Sequence, residues 1–207
     1  MTTESRTIHT VFVVDDDVGM RAALRRLIVA AGLAVETYAS ATELLAELDL
    51  TRPGIFLLDV MMPGMTGLEL QEALLARGIT SPVIFLTGSN SIPIAVAAMQ
   101  HGAVDFVEKP FDNADLLVRL QRALQVAVDK RVAQVNRAEF ERRLLLLTPR
   151  EHEVMDHVVT GKTSKEIARA LGASHRTIEI HRTRVMAKME AESLADLVRM
   201  TMAQASH

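Results

Sequence analysis

The residues best suited to chemistry in this chain are charged side chains that directly follow short apolar segments. Asp15 and Asp16 follow one β-branched run, Asp59 ends a second apolar run, and Lys109 follows a third. Carboxylates that cluster in a low-dielectric site repel one another and take up protons unless a cation joins them. Mg²⁺ prefers oxygen ligands and accepts two or three carboxylates together with water. Asp15, Asp16 and Asp59 are therefore candidate Mg²⁺ ligands, provided that the fold brings them together.

The same residues suit phosphoryl chemistry. Asp59 is a candidate nucleophile that forms an acyl phosphate, Lys109 can pair with phosphoryl oxygens, and the Thr87 hydroxyl can donate to another of them. An aspartate at a strand end is often only a turn or helix-cap residue, and we expect this role for Asp17. Five polar residues at successive strand ends are harder to explain in that way.

The elements that must position these residues alternate in type. Five short apolar runs are separated by segments of helical spacing, which predicts a five-stranded, parallel, doubly wound α/β sheet of the flavodoxin-like class. In such sheets the ligand site lies beyond the carboxyl ends of the strands, where the strand order reverses. The predicted strands are 10–14, 35–38, 54–59, 83–86 and 104–107, and the predicted helices are 20–32, 41–48, 68–77, 94–101 and one that begins at 113.

The last part of the chain has helical signals and no strand pattern. Thr148 and Glu151 form one capping-box pattern, and Thr163 and Glu166 form another. Gly172 is placed to end a short helix two residues before the next begins, which is typical of a helix-turn-helix. We therefore predict an all-α, four-helix helix-turn-helix domain.

The helix predicted over 175–189 is the candidate DNA-recognition helix. At 100° per residue, Ile178, Val185 and Met189 share the core face, and the opposite side is polar and mainly basic. Glu179 could accept from cytosine, Ile180 and Thr183 could contact thymine methyl groups, and basic side chains could reach phosphates. The alternative is a surface helix whose charged face is merely solvated. The candidate DNA contacts are His175, Arg176, Glu179, Ile180, Arg182, Thr183, Arg184 and Lys188.

Composition limits the class of protein. The 207 residues are 49% hydrophobic and include no cysteine, which argues against wholesale disorder and excludes disulfides and thiol nucleophiles. The apolar runs are too short to span a bilayer and no signal peptide is recognisable, so we expect a cytoplasmic protein with no membrane partner. The net charge of -3 conceals two different parts: residues 1–124 contain 9 basic and 15 acidic residues, and residues 144–207 contain 9 and 8.

These differences predict a first domain over 8–124, a helical linker over 125–143 and a DNA-binding domain over 144–207. The linker region lacks Gly and Pro, and its apolar residues recur every three or four positions. We favour a helical spacer that packs on the first domain over a short coiled-coil dimer seam.

The first domain resembles the receiver domains of two-component response regulators. The resemblance covers residues 8–124 and rests on the motifs Val-Val-Asp15-Asp16, Leu-Leu-Asp59-Val-Met-Met-Pro-Gly-Met-Thr-Gly67, Leu-Thr87-Gly88 and Glu-Lys109-Pro110-Phe111. It implies that a sensor histidine kinase phosphorylates Asp59. It also implies that Asp16, Asp59 and the Met61 backbone carbonyl bind Mg²⁺, that Asp15 acts mainly through water, and that the Lys109–Pro110 peptide is cis.

The resemblance further implies a switch formed by Thr87 and Phe106. Thr87 would move toward the phosphoryl group, and the Phe106 ring would turn into the space behind it. An ordinary core position for Phe106 is the alternative, and the sequence leaves both open. The surface over about 91–122 would then change and permit homodimerisation.

The C-terminal domain resembles LuxR-type DNA-binding domains, in particular those of the FixJ/TtrR-like branch of response regulators. The resemblance covers residues 144–202 and rests on Leu147-Thr-Pro-Arg-Glu-His-Glu-Val, Gly161-Lys-Thr-Ser-Lys-Glu-Ile-Ala and Ser174-His-Arg-Thr-Ile-Glu-Ile-His-Arg. It implies dimeric binding to a two-fold-related promoter site in double-stranded DNA, contact with RNA polymerase, and inhibition by the receiver until phosphorylation.

The leading hypothesis is therefore a phosphorylation-controlled transcriptional regulator that is not an enzyme. A constitutive DNA-binding regulator whose receiver does not act as a phospho-switch is one alternative. A phosphatase that uses a phosphoaspartate intermediate is another, although the sequence offers no cap domain to enclose a substrate.

Overall fold

The computed structural model describes residues 10–49, 52–88 and 103–205. The chain divides into two compact units, residues 1–130 and 131–207, so the division falls inside the segment predicted as the linker. The helix predicted over 94–101 lies outside the described residues, and so does part of the surface predicted over 91–122.

The first unit is built on a five-stranded, all-parallel sheet in the order β2-β1-β3-β4-β5, which confirms the predicted α/β class. Strand β1 is flanked by β2 and β3, so the chain direction across the sheet reverses there. The strands are β1 Thr10–Val14, β2 Ala34–Tyr38, β3 Gly54–Asp59, β4 Val83–Thr87 and β5 Asp105–Glu108, and the helices before the last strand are α1 Val18–Ala30, α2 Ala41–Glu47 and α3 Gly67–Ala76.

Every residue of β1, β3 and β4 is buried, as expected for strands covered on both faces. Alternate side chains supply two separate hydrophobic layers: Phe12 and Phe56 stack in one, and Val11 and Ile55 lie in the other. Only Val107 is buried in β5, because this strand pairs on one side only. The sheet core thus fixes the strand ends from which the candidate residues emerge.

A single 32-residue helix, α4 Asn113–Leu144, leaves the first unit and enters the second. The first part of α4 packs into the core of the first unit through Leu116, Leu120 and further residues up to Ala127. This packing agrees with the predicted helical spacer that lies against the first domain. The next eleven residues, 128–138, are all exposed, so this packing stops earlier than predicted. Phe140 then joins the core of the second unit. Of the helices that the structure describes, none is both long and apolar enough to cross a membrane.

The second unit packs four further helices around one core, which confirms the predicted all-α class: α5 Pro149–Val159, α6 Ser164–Leu171, α7 His175–Met189 and α8 Leu194–Ala205. Both predicted capping boxes are present, at Thr148 and Thr163. Gly172 ends α6 with a φ of 62°, a left-handed conformation that favours glycine. These caps set the short turn between α6 and α7 of the helix-turn-helix.

Candidate functional site

The structure brings together a lysine and two buried carboxylates at the carboxyl ends of the strands. The Lys109 ammonium donates to Asp15 Oδ2 at 2.7 Å and to Asp59 Oδ2 at 2.9 Å. Asp15 is fully buried and Asp59 is 8% exposed. The three residues follow or end β1, β3 and β5, and β1 and β3 are neighbours at the reversal point of the sheet. The site therefore lies where doubly wound sheets bind ligands.

Backbone and cap contacts hold Asp15 in place. Its Oδ1 accepts the Asp17 backbone N–H at 2.9 Å, and its backbone carbonyl accepts from the Arg21 guanidinium at 2.6 Å. Asp17 is the N-cap of α1 and accepts the Met20 N–H at 2.8 Å, as predicted. Arg21 was not predicted as part of the site, because its only signal in the sequence is a position in the first turns of α1.

Opposing effects set the charge state of this site. Burial raises the pKa of Asp59 above its ordinary value, and the neighbouring Asp15 carboxylate adds to the rise, whereas the hydrogen bond and charge of Lys109 oppose it. Burial alone would lower the pKa of Lys109, but its hydrogen bonds to Asp15 and Asp59 outweigh burial and raise that pKa. The lysine therefore stays charged and keeps a cation beside the candidate nucleophile.

Oxygen atoms of Asp15, Asp16 and Asp59 all lie within 4.8 Å of one another. Asp16 is exposed and the other two are buried, so the cluster opens to solvent on one side. An oxygen-only set of this kind, with room for water, fits the coordination that Mg²⁺ prefers. The Met61 N–H donates to Asp59 Oδ1 at 3.3 Å, which places the residue beside the cluster; a metal contact by its backbone carbonyl stays a prediction.

The two candidate switch residues differ in burial. Thr87 ends β4, is 4% exposed, and its hydroxyl donates to the Gly88 carbonyl at 3.3 Å. Phe106 is 41% exposed, so the alternative of an ordinary core position is wrong for this ring. Phe106 lies on β5, which pairs only with β4 among the described strands, and its neighbour Val107 is the buried residue of that strand. The Lys109–Pro110 peptide is cis, as the resemblance implied.

The segment after Asp59 depends on a close approach by Gly67. The Gly67 N–H donates to the Val60 carbonyl at 3.0 Å. A Cβ at this position would lie only 2.3 Å from the Asp59 backbone oxygen, so a larger residue would displace the backbone of the candidate nucleophile. Gly67 also starts α3, and thus the helix begins against the site.

The recognition helix α7 presents the predicted faces. Ile178, Val185 and Met189 are buried to within 1% of full burial, as predicted. On the opposite side, Ile180 is 47% exposed although it is apolar, which is a position open to a partner. Of the candidate DNA contacts, Arg182 and Lys188 are partly buried, and the exposed ones are His175, Arg176, Glu179, Ile180, Thr183 and Arg184.

Contacts within the second unit refine individual roles. The Thr183 hydroxyl donates to the Glu179 carbonyl at 3.0 Å, which leaves its methyl group for outside contacts. His175 Nε2 lies 3.9 Å from Glu179 Oε1. The Lys188 ammonium is 2.6 Å from a carboxylate oxygen of Glu151, which is 1% exposed. Lys188 therefore holds α7 against α5, and the phosphate contact expected of this lysine stays a prediction.

Comparison with known families agrees with this division of the chain. Residues 11–121 match the family described as response regulator receiver domain. Residues 145–201 match the family described as bacterial regulatory proteins, luxR family.

Known proteins are similar over nearly the whole chain. Nodulation protein W of Bradyrhizobium diazoefficiens is 42% identical over 202 residues, which cover 96% of this chain and 88% of that protein. Transcriptional regulatory protein FixJ of Azorhizobium caulinodans is 42% identical, covering 96% of this chain and 93% of its own. The C4-dicarboxylate transport transcriptional regulatory protein DctR of Rhodobacter capsulatus is 44% identical, and the match covers 93% of this chain and 98% of DctR.

Solved structures give the same result. The response regulator StyR has a TM-score of 0.81 at 39% identity, covering 93% of this chain and 98% of its own. Full-length FixJ from B. japonicum has a TM-score of 0.57 at 36% identity, and the match covers 97% of this chain and 99% of the FixJ chain. With the receiver-type carboxylate site and the LuxR-type recognition helix, these matches show that the chain belongs to the FixJ-like response regulators, which are transcriptional regulators that join a receiver domain to a LuxR-type DNA-binding domain.

Proposed function

We propose that Asp59 accepts a phosphoryl group from a sensor histidine kinase and that this event promotes homodimerisation and promoter binding. The observation that carries the proposal is the bridge from Lys109 to both Asp59 and Asp15 at the reversal point of the sheet. A buried carboxylate beside a fixed ammonium is arranged for nucleophilic attack on a phosphoryl group.

The transfer balances in a simple way. An Asp59 carboxylate oxygen attacks the phosphorus of the kinase phosphohistidine, an O–P bond forms, and the P–N bond breaks with the imidazole as leaving group. Lys109 opposes the rise in the pKa of Asp59 that burial causes and so favours the ionised nucleophile, and its ammonium would then pair with a phosphoryl oxygen. The Thr87 hydroxyl, at the end of the neighbouring strand, would donate to another phosphoryl oxygen.

Asp15, Asp16 and Asp59 would hold Mg²⁺, with the Met61 backbone carbonyl as a further ligand and Asp15 acting mainly through water. The ion supplies positive charge for the carboxylates and for the incoming phosphoryl group. Within this chain, Lys109 supplies the second positive charge through its contacts with Asp15 and Asp59.

We further propose that Thr87 and Phe106 relay the event to the surface that includes β5. Thr87 is buried next to the site, and the Phe106 ring is exposed and free of polar atoms. Turning this ring inward toward the space that Thr87 leaves would bury apolar surface without loss of a hydrogen bond. The changed surface would then favour homodimers.

In the DNA complex, α7 would enter the major groove with Glu179, Ile180 and Thr183 toward base edges. His175, Arg176, Arg182 and Arg184 would contact phosphates or bases nearby. Ile180 supports this assignment most directly, because an apolar side chain 47% exposed on a mostly polar face suits contact with thymine methyl groups. Contact with RNA polymerase would follow at the promoter, in the cytoplasm.

The two alternatives make different predictions. A constitutive regulator would not need the Lys109 bridge, and a phosphatase would need a structure that encloses a substrate over the open side of the cluster. The relatives named here as regulators favour a non-enzymatic role.

The test uses the full chain with acetyl phosphate and Mg²⁺, and duplex DNA recovered from genome-wide mapping of bound sites. Asp59→Asn should abolish phosphate incorporation and the phosphodonor-dependent gain in DNA affinity. Asp129→Asn, the same chemical change at an exposed position of α4, should alter neither. Unchanged DNA binding by the native chain after phosphorylation would indicate a constitutive regulator, and repeated turnover of phosphomonoesters would indicate a phosphatase.

A further inference from the structure

Arg143, in the last turn of α4, is bonded to the C-terminal end of the recognition helix. Its guanidinium donates to the Met189 backbone carbonyl at 3.0 Å and lies 2.7 Å from a carboxylate oxygen of Glu190. Its Nε donates to Glu139 at 2.8 Å. One side chain therefore joins the last turn of α4 to the last residue of α7 and to its C-cap, in the fork geometry that only arginine offers.

The C-terminal end of α7 needs such a partner. Glu190 caps the helix in the left-handed conformation, with a φ of 52° and ψ of 37°, and is the one non-glycine residue with positive φ in the described parts of the chain. This conformation is strained for a residue with a Cβ. The Glu190 carboxylate also lies at the negative end of the helix dipole, where an anion is unfavourable and a cation is favourable. The Arg143 guanidinium offsets both the partial negative charge of the Met189 carbonyl and the charge of the Glu190 carboxylate, because it contacts both groups.

Arg143 is shielded, unlike its neighbour. Its side chain is 17% exposed, whereas that of Arg142 is 59% exposed. Glu139 binds both arginines, because its two carboxylate oxygens accept from Arg142 as well. Within the described residues, Arg142 makes no hydrogen bond to α7 or its C-cap, and the charge of Glu190 is only a minor cause of the raised pKa of Arg142. The two adjacent arginines therefore differ chiefly in whether they are bonded to the recognition helix.

We propose that Arg143 is a positioning residue for DNA recognition, which fixes the end of the recognition helix to the last turn of α4 and so sets the direction in which that helix presents its base-reading side chains. The proposal rests on the proposed reading of DNA by α7. It explains why a strained glutamate stands where glycine is the favoured residue: Glu190 supplies the anion that Arg143 holds.

The experiment uses the full chain carrying beryllofluoride as a phosphoryl mimic. The probes are a duplex selected by the native protein from a random-sequence pool and an unrelated duplex of equal length. Affinities for both are measured over a series of salt concentrations for Arg143→Met, for the matched control Arg142→Met and for Glu190→Gly.

Arg143→Met should bind the selected duplex more weakly by on the order of tenfold, a loss comparable to one mismatched base pair. Binding to the unrelated duplex and the slope of log affinity against log salt should stay the same, because Arg143 contacts no phosphate in this arrangement. Arg142→Met should leave all three quantities unchanged.

Glu190→Gly separates positioning from stability. Glycine relieves the strained conformation, so the melting temperature should equal or exceed that of the native chain, while affinity for the selected duplex falls in the same direction as for Arg143→Met. Equal affinity of both variants and the native chain for the selected duplex would overturn the proposal. So would a salt slope reduced by about one in Arg143→Met, which would make Arg143 a direct phosphate contact. Failure of the native protein to select any sequence would instead contradict the proposed function.

Discussion

At the scale of single residues, Lys109 governs the charge of the phosphoacceptor site. Its ammonium lies within 2.9 Å of two carboxylates, one of them fully buried, and its side chain is 20% exposed. Burial and the Asp15 carboxylate both raise the pKa of Asp59, and the hydrogen bond and charge of Lys109 are the main effects that oppose this rise. The lysine therefore supports both nucleophilicity and the stability of the paired site.

Lys109→Met tests this role. We expect incorporation of phosphate from acetyl phosphate at neutral pH to slow by roughly 100-fold, because the ion that stabilises the transferred charge is removed. Lys130→Met is the matched control, since the one hydrogen bond that Lys130 makes within the described residues is to the Thr80 carbonyl on exposed surface. Equal rates for the native chain and the Lys109 variant would contradict the assigned role.

A second residue-scale prediction concerns the approach of Gly67 to Asp59. Gly67→Ala should lower the free energy of unfolding by roughly 1–3 kcal/mol, because the new Cβ would lie 2.3 Å from the Asp59 backbone oxygen. Gly19→Ala is the control, where the nearest atom is a side-chain oxygen at 3.1 Å and alanine favours the helix. Chemical denaturation of both variants measures the difference; equal stabilities would show that the Asp59 backbone adapts at no cost.

At the scale of elements, an ion pair with a buried carboxylate joins α5 to the recognition helix α7. Glu151 completes the capping box of α5 and also binds Lys188 in the last turn of α7. The hydrogen bond from Lys188 and the Thr148 N–H lower the pKa of Glu151 to about 2. The capping pattern was visible in the sequence, but its second partner was not, because the two residues are far apart along the chain.

The pKa shift gives a prediction of pH dependence. A carboxyl group whose folded pKa is depressed stabilises the fold above its ordinary pKa of 4.5 and loses that contribution as the pH falls toward about 2. Glu151→Gln should therefore reduce the free energy of unfolding at pH 7 by about 1–3 kcal/mol. Between pH 4.5 and 2, the free energy of unfolding of the variant should fall less than that of the native chain. Denaturation across this pH range measures both effects.

Glu153→Gln provides the comparison for Glu151. Glu153 pairs with Arg150 on the surface, where its side chain is 52% exposed, so its replacement should change stability by less than about 0.5 kcal/mol. If the free energy of unfolding depends on pH in the same way in the native chain and in the Glu151→Gln variant, the pair of Glu151 and Lys188 does not contribute to the pH dependence of stability.

At the scale of the whole molecule, the chain has separate cores joined by a continuous helix. The sheet contributes two hydrophobic layers in the first unit, and five helices contribute a third cluster in the second. The fifth helix of that cluster is the end of α4, through the 7% exposed side chain of Phe140. The core of the second unit therefore includes a residue that precedes 144.

This organisation predicts a difference between two fragments. The fragment 131–207 should unfold cooperatively, whereas 144–207 lacks Phe140 and Arg143 and should lose roughly 3 kcal/mol of stability. That loss corresponds to a melting temperature lower by at least about 10 °C. Thermal unfolding followed by circular dichroism measures the melting temperatures of both fragments. Equal melting temperatures would show that the DNA-binding domain is complete without the residues before 144.

Local sequence patterns were enough to predict most of the described elements and their types. Strand β1, the capping boxes and the core face of α7 were predictable because hydrophobic period and cap residues act locally. The cluster of Asp15, Asp59 and Lys109 was also predictable, because parallel strands must end at one edge of a sheet.

Which distant side chains meet depends on the packing of the elements and could not be predicted from local patterns. The bridge from Arg143 to Glu190, the pairing of Lys188 with Glu151 and the exposure of Phe106 have no periodic signal. Each depends on how one element packs on another, or on an edge strand with no further partner. Local patterns fix the direction of a side chain relative to its own helix or strand, but the partner across the core is set by packing that no short segment contains.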